Sequence, residues 1–591
     1  MIIYINMTDN YSFMKSSEAQ SIGDYSPYQD KQSNNYINDL NNGVYTNNSL
    51  TLLNFDLGAI YNSQKYTDTS ELSVVIPIVM VAALRNPTGL ISGAQSGGPL
   101  SGLCSIKSNF INLIHQADLQ INGKTIESTQ PFLNVARNFQ MLSEMGTNDL
   151  LCLGPTILGT DKLDTYKSMR YNATASGGTA GSGNGMSNNR IYSHGQTTSG
   201  PGHENQTALA VAQNNFINNT ALQFKHGRYI DTSNNINNLG AILTTTNMNN
   251  EFRPYYTRST DVSGSYNIWY DYAVVKLGHV FESLNKIGLV KRFDATVRLW
   301  INTGTINATI AAPRSTNMDY SITASNNTFS NTCPLMLNYI GYNSDIASFP
   351  ADTSGCVAGL DIAKPPTTSF NGINLGNSGA SHPLQNCRLY YPQITLQPEK
   401  SIIYAEQNRN KKVVYRSMVS NIYTNIVSGG TFNALVNAGI VHPTGVLVVP
   451  YVSSSVSAGL GDFAWKSPFD TAPFTGHPCS LTNFNVQVGG TNILQSTLSY
   501  SYEHFMQQVV LAEQLTSADF GVGTGLINQD FWQWSKFYYC NVERSALADK
   551  LQPRNINVTF NNNSALAIDV LIFIFYSDEM TIDVETGIVN K

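Results

Sequence analysis

Two stretches far apart in the chain, ADLQINGKTI (117–126) and NFNVQVGGTNI (483–493), share one grammar. In the first, Leu119 and Ile121 alternate with Gln120 and Asn122, as a strand with one buried face requires. Asn122-Gly123 then signals a type I′ hairpin, whose two central residues both need positive φ. After the hairpin the period changes. Phe132, Val135, Phe139 and Leu142 recur three, four and three residues apart, the spacing of one helical face, with Pro131 expected in the first helical turn. In the second copy Val486 and Val488 flank Gln487, Gly489-Gly490 makes the turn, and Leu498, Tyr502, Phe505 and Val509 form the stripe. The parallel continues. YDYAVVKLGHVFE then RFDATVRLWIN follow the first helix, and FWQWSKFYYCNVE then PRNINVTFNN follow the second. Each pair reads as an aromatic-rich strand followed by an alternating strand that closes at Ile301-Asn302 or Phe560-Asn561. A chain written twice in this way folds into two like units.

The expected fold is therefore mainly β. Each unit offers about eight short strands with a helix between the middle ones, and two packed antiparallel sheets in Greek-key order make a jelly roll. Two in tandem make a double jelly roll with short helices and long surface loop insertions. The expected division is an arm over 1–48, a first jelly roll over 49–400 and a second over 401–591. The arm is Asn-, Ser-, Tyr- and Asp-rich without sustained periodicity. It reads as flexible alone, ordered against a neighbour or in a particle interior. Pro77, inside ELSVVIPIVMVAAL, suggests a sheet edge or a bulge. The copies differ in their connections. Between helix and next strand the second spends about 20 residues, the first about 120, from 146 to 265. That excursion carries ATASGGTAGSGNGMSNN, and a second fills about 303–385. Loops so long and turn-rich read as projections from one face.

With 591 residues the chain exceeds one ordinary core. Only 13% of its residues are charged, against roughly 25% in most soluble domains, and Asn, Ser, Thr, Gln and Tyr supply the missing polarity. Such a surface repels itself little and suits a protein covered by partners. The net charge of −6 argues against a dedicated nucleic-acid binder. The one compact basic run, Arg409, Lys411, Lys412 and Arg416, reads as a solvated linker face or a contact for an acidic partner. The 7 cysteines are scattered, without a CxxC pair, and read as reduced, mostly buried thiols. MIIYINMTDN lacks the basic and apolar regions of a secretory signal, and neither VVIPIVMVAAL nor VLIFIF nears the ~20 residues of a membrane span. The N-x-S/T sequons at Asn172 and Asn307 then read as chance in an Asn-rich chain.

No catalytic, cofactor-binding or metal-binding residue is assigned, and the chain does not read as an enzyme. HExxH and GxSxG are absent. Gly123-Lys124-Thr125 resembles the end of a phosphate loop but sits in a hairpin, with Asp118 where the first glycine belongs. Asp352-Thr353-Ser354-Gly355 resembles half an aspartic-protease dyad. Asp231-Thr232-Ser233 and Asp470-Thr471-Ala472 lack the glycine a second half needs. His477 and Cys479 in TGHPCS have no third group at a useful spacing. The many Tyr and Phe read as sheet core and interface, not as a platform for stacking bases.

The run SLTNFNVQVGG…SYEHF…GTGLINQDFW…FYYCNVERS…NINVTFNNNSALAIDVLIFIFYSDEMTIDVETG (480–587) resembles the C-terminal half of major capsid proteins of small double-stranded DNA viruses, the Polinton-like virus, virophage and adintovirus group. HQADLQINGKTIESTQPFLNVARNFQMLSEMGTNDL (115–149) resembles the same family, and together these cover about a third of the chain. The resemblance implies a virion structural protein, made inside the host cell and not secreted. Its double jelly roll forms a homotrimer, a pseudo-hexagonal, hexon-like capsomer that tiles an icosahedral capsid around a dsDNA genome. The partners it implies are neighbouring capsomers, penton and minor capsid proteins. It also allows weak contact of the inner face with genome or an internal membrane, and of outer loops with a host receptor. It puts 146–265 and 303–385 outside and 1–48 inside. Two other readings share the β class: a receptor- or carbohydrate-binding viral fibre or lectin-like protein, and a polysaccharide-cleaving enzyme. The first does not need the duplication, and the second needs paired carboxylates in one cleft.

Overall fold

Alternation along the chain becomes pairing between strands in the computed structural model. The structure describes residues 28–45, 50–86, 89–90, 103–106, 109–129, 131–146, 189–190, 255–261, 264–310, 319–321, 333–338, 355–364, 369–370, 373–374, 382, 384–437, 439–453, 476–494, 499–511, 525–543 and 553–591. The first half supplies β1 (Tyr28–Asn38), β2 (Leu50–Asp56), β3 (Ser73–Asn86), β4 (Ile114–Ile121), β5 (Lys124–Thr129), β6 (Gly264–Lys276), β7 (Ala295–Asn302), β8 (Gly304–Ile310), β9 (Gly355–Ile362) and β10 (Arg388–Leu396). The second supplies β11 (Lys411–Ile426), β12 (Thr431–Asn437), β13 (Pro443–Val452), β14 (Leu481–Val488), β15 (Thr491–Asn492), β16 (Tyr538–Asn541), β17 (Ile556–Asn562), β18 (Ile568–Ile582) and β19 (Val589–Asn590). Helices α1 (Leu133–Glu144), α2 (Glu282–Ile287), α3 (Pro398–Gln407) and α4 (Tyr502–Leu511) carry side chains to the boundary between the halves.

The strand order is the same in both halves. In the first, β1-β10-β3-β6 form one antiparallel sheet and β2-β7-β4-β5 the other. In the second the sheets are β11-β18-β13-β16 and β12-β17-β14-β15. Setting aside β8, β9 and β19, the eight strands of each half run 1-8-3-6 and 2-7-4-5, the Greek-key order of a jelly roll. Packing follows the period of two. Ala295, Val297, Leu299 and Ile301 are buried while Thr296, Arg298 and Trp300 are part-exposed, and Ile556, Val558 and Phe560 repeat the pattern in β17. Both hairpins carry the expected turn, with φ of 49° and 73° at Asn122 and Gly123 and of 60° and 83° at Gly489 and Gly490.

Several expectations are corrected. The 1–48 arm contains the first strand: β1 pairs with β10, from Tyr28 opposite Leu396 to Asn38 opposite Arg388. Beyond it, Asp39 buries its carboxylate and accepts from the backbone of Asn54 and Asn41, pinning the turn to β2. Pro77 lies in a central strand. β6 pairs with β3 without interruption on one side, while β10 covers Ser73–Val75 and β9 covers Ile78–Arg85 on the other. Pro77 falls between those two partners, where its missing N–H breaks no ladder and its carbonyl still accepts from Ala363 N at 2.9 Å. Helix α1 begins at Leu133, so Pro131 precedes it, and Phe132 turns the chain at φ 71°. FWQW is a helical turn (Gln529–Trp534), and only Tyr538–Asn541 of that segment is strand. The 303–385 excursion is sheet at its ends, because β8 and β9 extend the first sheet beside β3. The 146–265 excursion ends as Tyr255–Asp261, paired with β6. Residues 173–188 of its Gly/Ser-rich stretch and Leu498 lie outside the described residues, as do Asp231, Asp352 and Asp470.

Candidate functional site: the seam between the two sandwiches

The described surface of greatest consequence is the one where the halves meet. Its apolar part comes from the helix after each hairpin. Val135, Phe139 and Leu142 of α1 are buried, and Phe139 meets Phe537 at 5.1 Å, Tyr539 at 5.4 Å and Phe505 of α4 at 6.4 Å between ring centroids. Burying a side chain of this kind contributes about 2–3 kcal/mol, so a few rings hold the halves in one continuous core. The backbones also touch. Leu526 N donates to Leu142 O at 2.7 Å, and a Cβ on Gly525 would lie 2.4 Å from that same oxygen.

The polar part centres on β11. Arg416 donates from Nη2 to Glu144 of α1 and from Nε to Glu282 of α2, each at 3.0 Å. Burial opposes charge on Arg416, yet the two carboxylates hold it protonated above the usual guanidinium range. Burial raises Glu144 despite Arg416, while Arg416 and Lys286 outweigh burial at Glu282 and hold it low. Behind this pair, Glu127 of β5 is buried and accepts from Ser283 N at 2.7 Å and Glu282 N at 3.3 Å. Burial pushes its carboxyl up to about 7, against the pull of Arg137. Arg137 is itself lowered by burial; it donates to Gln140 Oε1 and Val280 O, while its Nε has no hydrogen-bond partner among the described residues.

Single contacts extend the seam along β5 and its hairpin. Tyr415 Oη donates to Ile126 O at 3.1 Å and Ser420 Oγ to Pro131 O at 2.9 Å. Lys411 donates to Ile287 O at 2.7 Å, closing α2. Tyr404 of α3 donates to Leu289 O at 2.9 Å. Residues 583–591 cross back to the first half. Lys291 N donates to Val584 O at 2.7 Å, Val589 N to Asn122 Oδ1 at 3.1 Å, Lys124 Nζ to Val589 O at 2.9 Å and Lys591 Nζ to Ile126 O at 2.6 Å.

The residues weighed from sequence fall into place around this seam. Lys124 tethers β19, and the Gly123-Lys124-Thr125 turn is a hairpin. Asp118 pairs with Arg298 across the sheet at 3.3 Å. The basic run is not one solvated face: Arg409 is exposed and Lys412 reaches Glu579, but Lys411 and Arg416 are the second half's grip on the first. His477 and Cys479 are buried, and His477 Nδ1 accepts from Val452 N at 2.9 Å, a strand-entry role. Cys333, Cys387, Cys479 and Cys540 are buried. Sequence reading missed Glu127, Arg137, Glu144 and Glu282. The available signal was slight: Arg137 lies off the Phe139 stripe, two residues from both Val135 and Phe139, on a helix that is buried on most of its surface.

Among the described residues no group of three or more His, Cys, Asp or Glu could hold a metal ion, and no helix is long and apolar enough to cross a membrane. A crevice of about 210 Å³ is lined by His442, Glu543, Asp578 and Glu579. Asp578 is held by Lys591 at 2.7 Å and by Tyr415, and Glu579 by Lys412 at 2.7 Å, so these two carboxylates are structurally engaged.

Strand order defines the class: a tandem pair of jelly rolls fused through a shared core. Solved structures with a similar chain course include the Sputnik virophage, seen by cryo-EM (9% identity, TM-score 0.47, covering 97% of this chain and 90% of that one). They also include the Faustovirus major capsid protein (9%, 0.40, 95% and 93%) and the quasi-atomic model of the PBCV-1 virus capsid (9%, 0.33, 96% and 98%). No family model matches the chain, and no curated protein matches it in sequence.

Proposed function

We propose that the chain is a major capsid protein, a structural subunit without catalytic activity that trimerises into a pseudo-hexagonal capsomer and tiles an icosahedral shell around a dsDNA genome. One observation carries the reading: the same eight-strand order occurs twice, and the two sandwiches are locked through a shared core and a part-buried ion cluster. Two like blocks held rigidly side by side make each chain one third of a six-cornered tile, and closed rings of this kind are a common solution for identical subunits. The neutral polar surface suits the wet contacts such tiling needs. We place the boundary between the two domains in α3, begin the first domain at Tyr28, and assign the loops of 146–265 and 303–385 to the shell exterior. Penton, minor capsid and receptor contacts belong to the same proposal.

The test is the mass and low-resolution shape of the purified protein. A particle of three times the 64.7 kDa chain, six-cornered in negative stain, is expected. A monomer, or an elongated trimer, overturns the reading in favour of a receptor- or carbohydrate-binding β protein.

A further inference from the structure

Helix α3 links the two sandwiches, and one side of it is used. Tyr404 is buried and donates to Leu289 O at 2.9 Å, Asn408 just past the helix is buried, and Ser401 Oγ meets Tyr66 Oη at 3.1 Å. The other side turns Ile402 and Ile403 outward, 60% and 51% exposed. Among the described residues no other two sequence neighbours are both exposed large apolar side chains. Isoleucine does not serve the helix itself, because its branched Cβ loses rotamer freedom there. Exposed Glu399 lies one turn before the pair and exposed Glu406 one turn after it, so the apolar spot is bracketed by carboxylates.

The chain delivers a cover to this spot. β1 runs antiparallel to β10 with Tyr28 opposite Leu396, two residues before α3 begins at Pro398. That end of β1 is fastened, Lys31 to Glu71 at 2.7 Å and Asp30 to Lys65 at 3.5 Å. Residues 1–27, which lie outside the described residues, therefore start from a fixed root beside α3. Their longest apolar run is Met1-Ile2-Ile3-Tyr4-Ile5, and no charged side chain precedes Asp9, so Glu399 and Glu406 do not repel it. About 22 residues join Ile5 to Tyr28. A coil of that length spans about 26 Å, against about 15 Å for the whole of α3. Such a tether holds the run near the helix at an effective concentration on the order of millimolar, which a segment of another molecule in dilute solution does not match. We infer that Ile2–Ile5 pack on Ile402 and Ile403 of the same chain, folding the arm back over the link between the sandwiches. The contact goes beyond the capsid-subunit reading, because the helix face and the root of the arm belong to a single chain.

Cysteine pairs in the full chain, oxidised with oxidised glutathione in dilute solution and read by peptide mass spectrometry, test this. Ile3→Cys with Ile403→Cys puts both thiols in the contact. Ile3→Cys with Val427→Cys uses an exposed site just past the far end of β11, about 50 Å of strand from Lys411. The arm, at most roughly 80 Å from Ile3 to Tyr28 when extended, is long enough to reach either site. Ile3→Cys alone sets the background from the native cysteines. The expected result is a disulfide within one chain that forms at least roughly tenfold faster at Ile403 than at Val427, a preference that disappears when Ile402→Ser and Ile5→Ser are added. Equal rates, no disulfide above background, or a preference that survives the serines overturns the contact. Disulfides between chains in place of those within one show that a neighbour's arm covers α3, and overturn the same-chain seat. A mass that overturns the capsomer leaves this contact standing, and failure of the contact leaves the capsomer standing.

Discussion

The guanidinium of Arg416 and the carboxylate of Glu282 lie 3.0 Å apart across the boundary between the two sandwiches. One sits on the first strand of the second half and the other at the start of a short helix of the first. Glu144 completes the site from α1. Three elements that are distant in sequence thus converge on one cation. The arrangement favours one seating of the two sandwiches, because a part-buried guanidinium held by two carboxylates from separate elements tolerates few alternative positions.

Removing that cation should be costly. Arg416→Met leaves Glu144 and Glu282 facing each other in a poorly hydrated seam, and we expect a loss of about 3 kcal/mol in a denaturant titration. Adding Glu144→Gln and Glu282→Gln to the same chain should recover much of it, since the uncompensated carboxylates are gone. If Arg416→Met alone costs less than about 1 kcal/mol, the ion cluster does not hold the seam.

Glu127 gives the seam a pH dependence with a definite sign. Its folded carboxyl sits at about 7, above the ordinary 4.5. Between those values the folded chain keeps a proton that the unfolded chain has released, so this group's contribution falls as pH rises from 4.5 to 7 and stays lost above. The span corresponds to an order of magnitude of about 3 kcal/mol. His115, lowered to about 4 by burial, works in the opposite direction below its ordinary 6.5, and Asp361, raised to about 7 by burial, in the same direction. The measurement is therefore a difference. Stability of wild type minus that of Glu127→Gln, followed from pH 5 to 8, should decline with pH. A flat difference would mean that Glu127 titrates normally.

Local grammar explains what the sequence revealed. The hairpins at Asn122-Gly123 and Gly489-Gly490, and the stripes of Phe139 and Phe505, depend on neighbours in the chain, and both copies were legible. The seventh strand shows the limit. The ladders set Ala295 opposite Ile121 and Ile556 opposite Val488, so Leu299 corresponds to Phe560 and Ile301 to Asn562. The sequence match of Ile301 with Phe560 is slipped by two residues. A shift of two keeps every side chain on its face, so an alternating pattern cannot register it. Strand β1 escaped notice for a related reason. Edge strands bury little, and YQDKQSNNYIN offers only Tyr28, Tyr36 and Ile37 as apolar marks. The charge cluster escaped because Glu127, Arg137, Glu282 and Arg416 meet only through tertiary contact.

Two glycines with the same backbone sign separate the cost of the seam from the cost of a turn. Gly525 has φ of 63°, and its Cβ position lies 2.4 Å from Leu142 O and 2.5 Å from Ser143 O, both backbone atoms of α1. The approach cannot relax freely, because Leu526 N donates to that same Leu142 oxygen at 2.7 Å. Gly490 has φ of 83° with nothing within 4 Å of its Cβ position. Alanine at Gly490 should therefore cost only the left-handed backbone term, about 1 kcal/mol. Alanine at Gly525 must also push α1 away from the second half, breaking a hydrogen bond and loosening the packing around Phe139. We expect about 3 kcal/mol, with a lowered melting temperature. Equal costs for the two substitutions would show that the halves are not pressed together at Gly525, and the seam would lose its backbone contact.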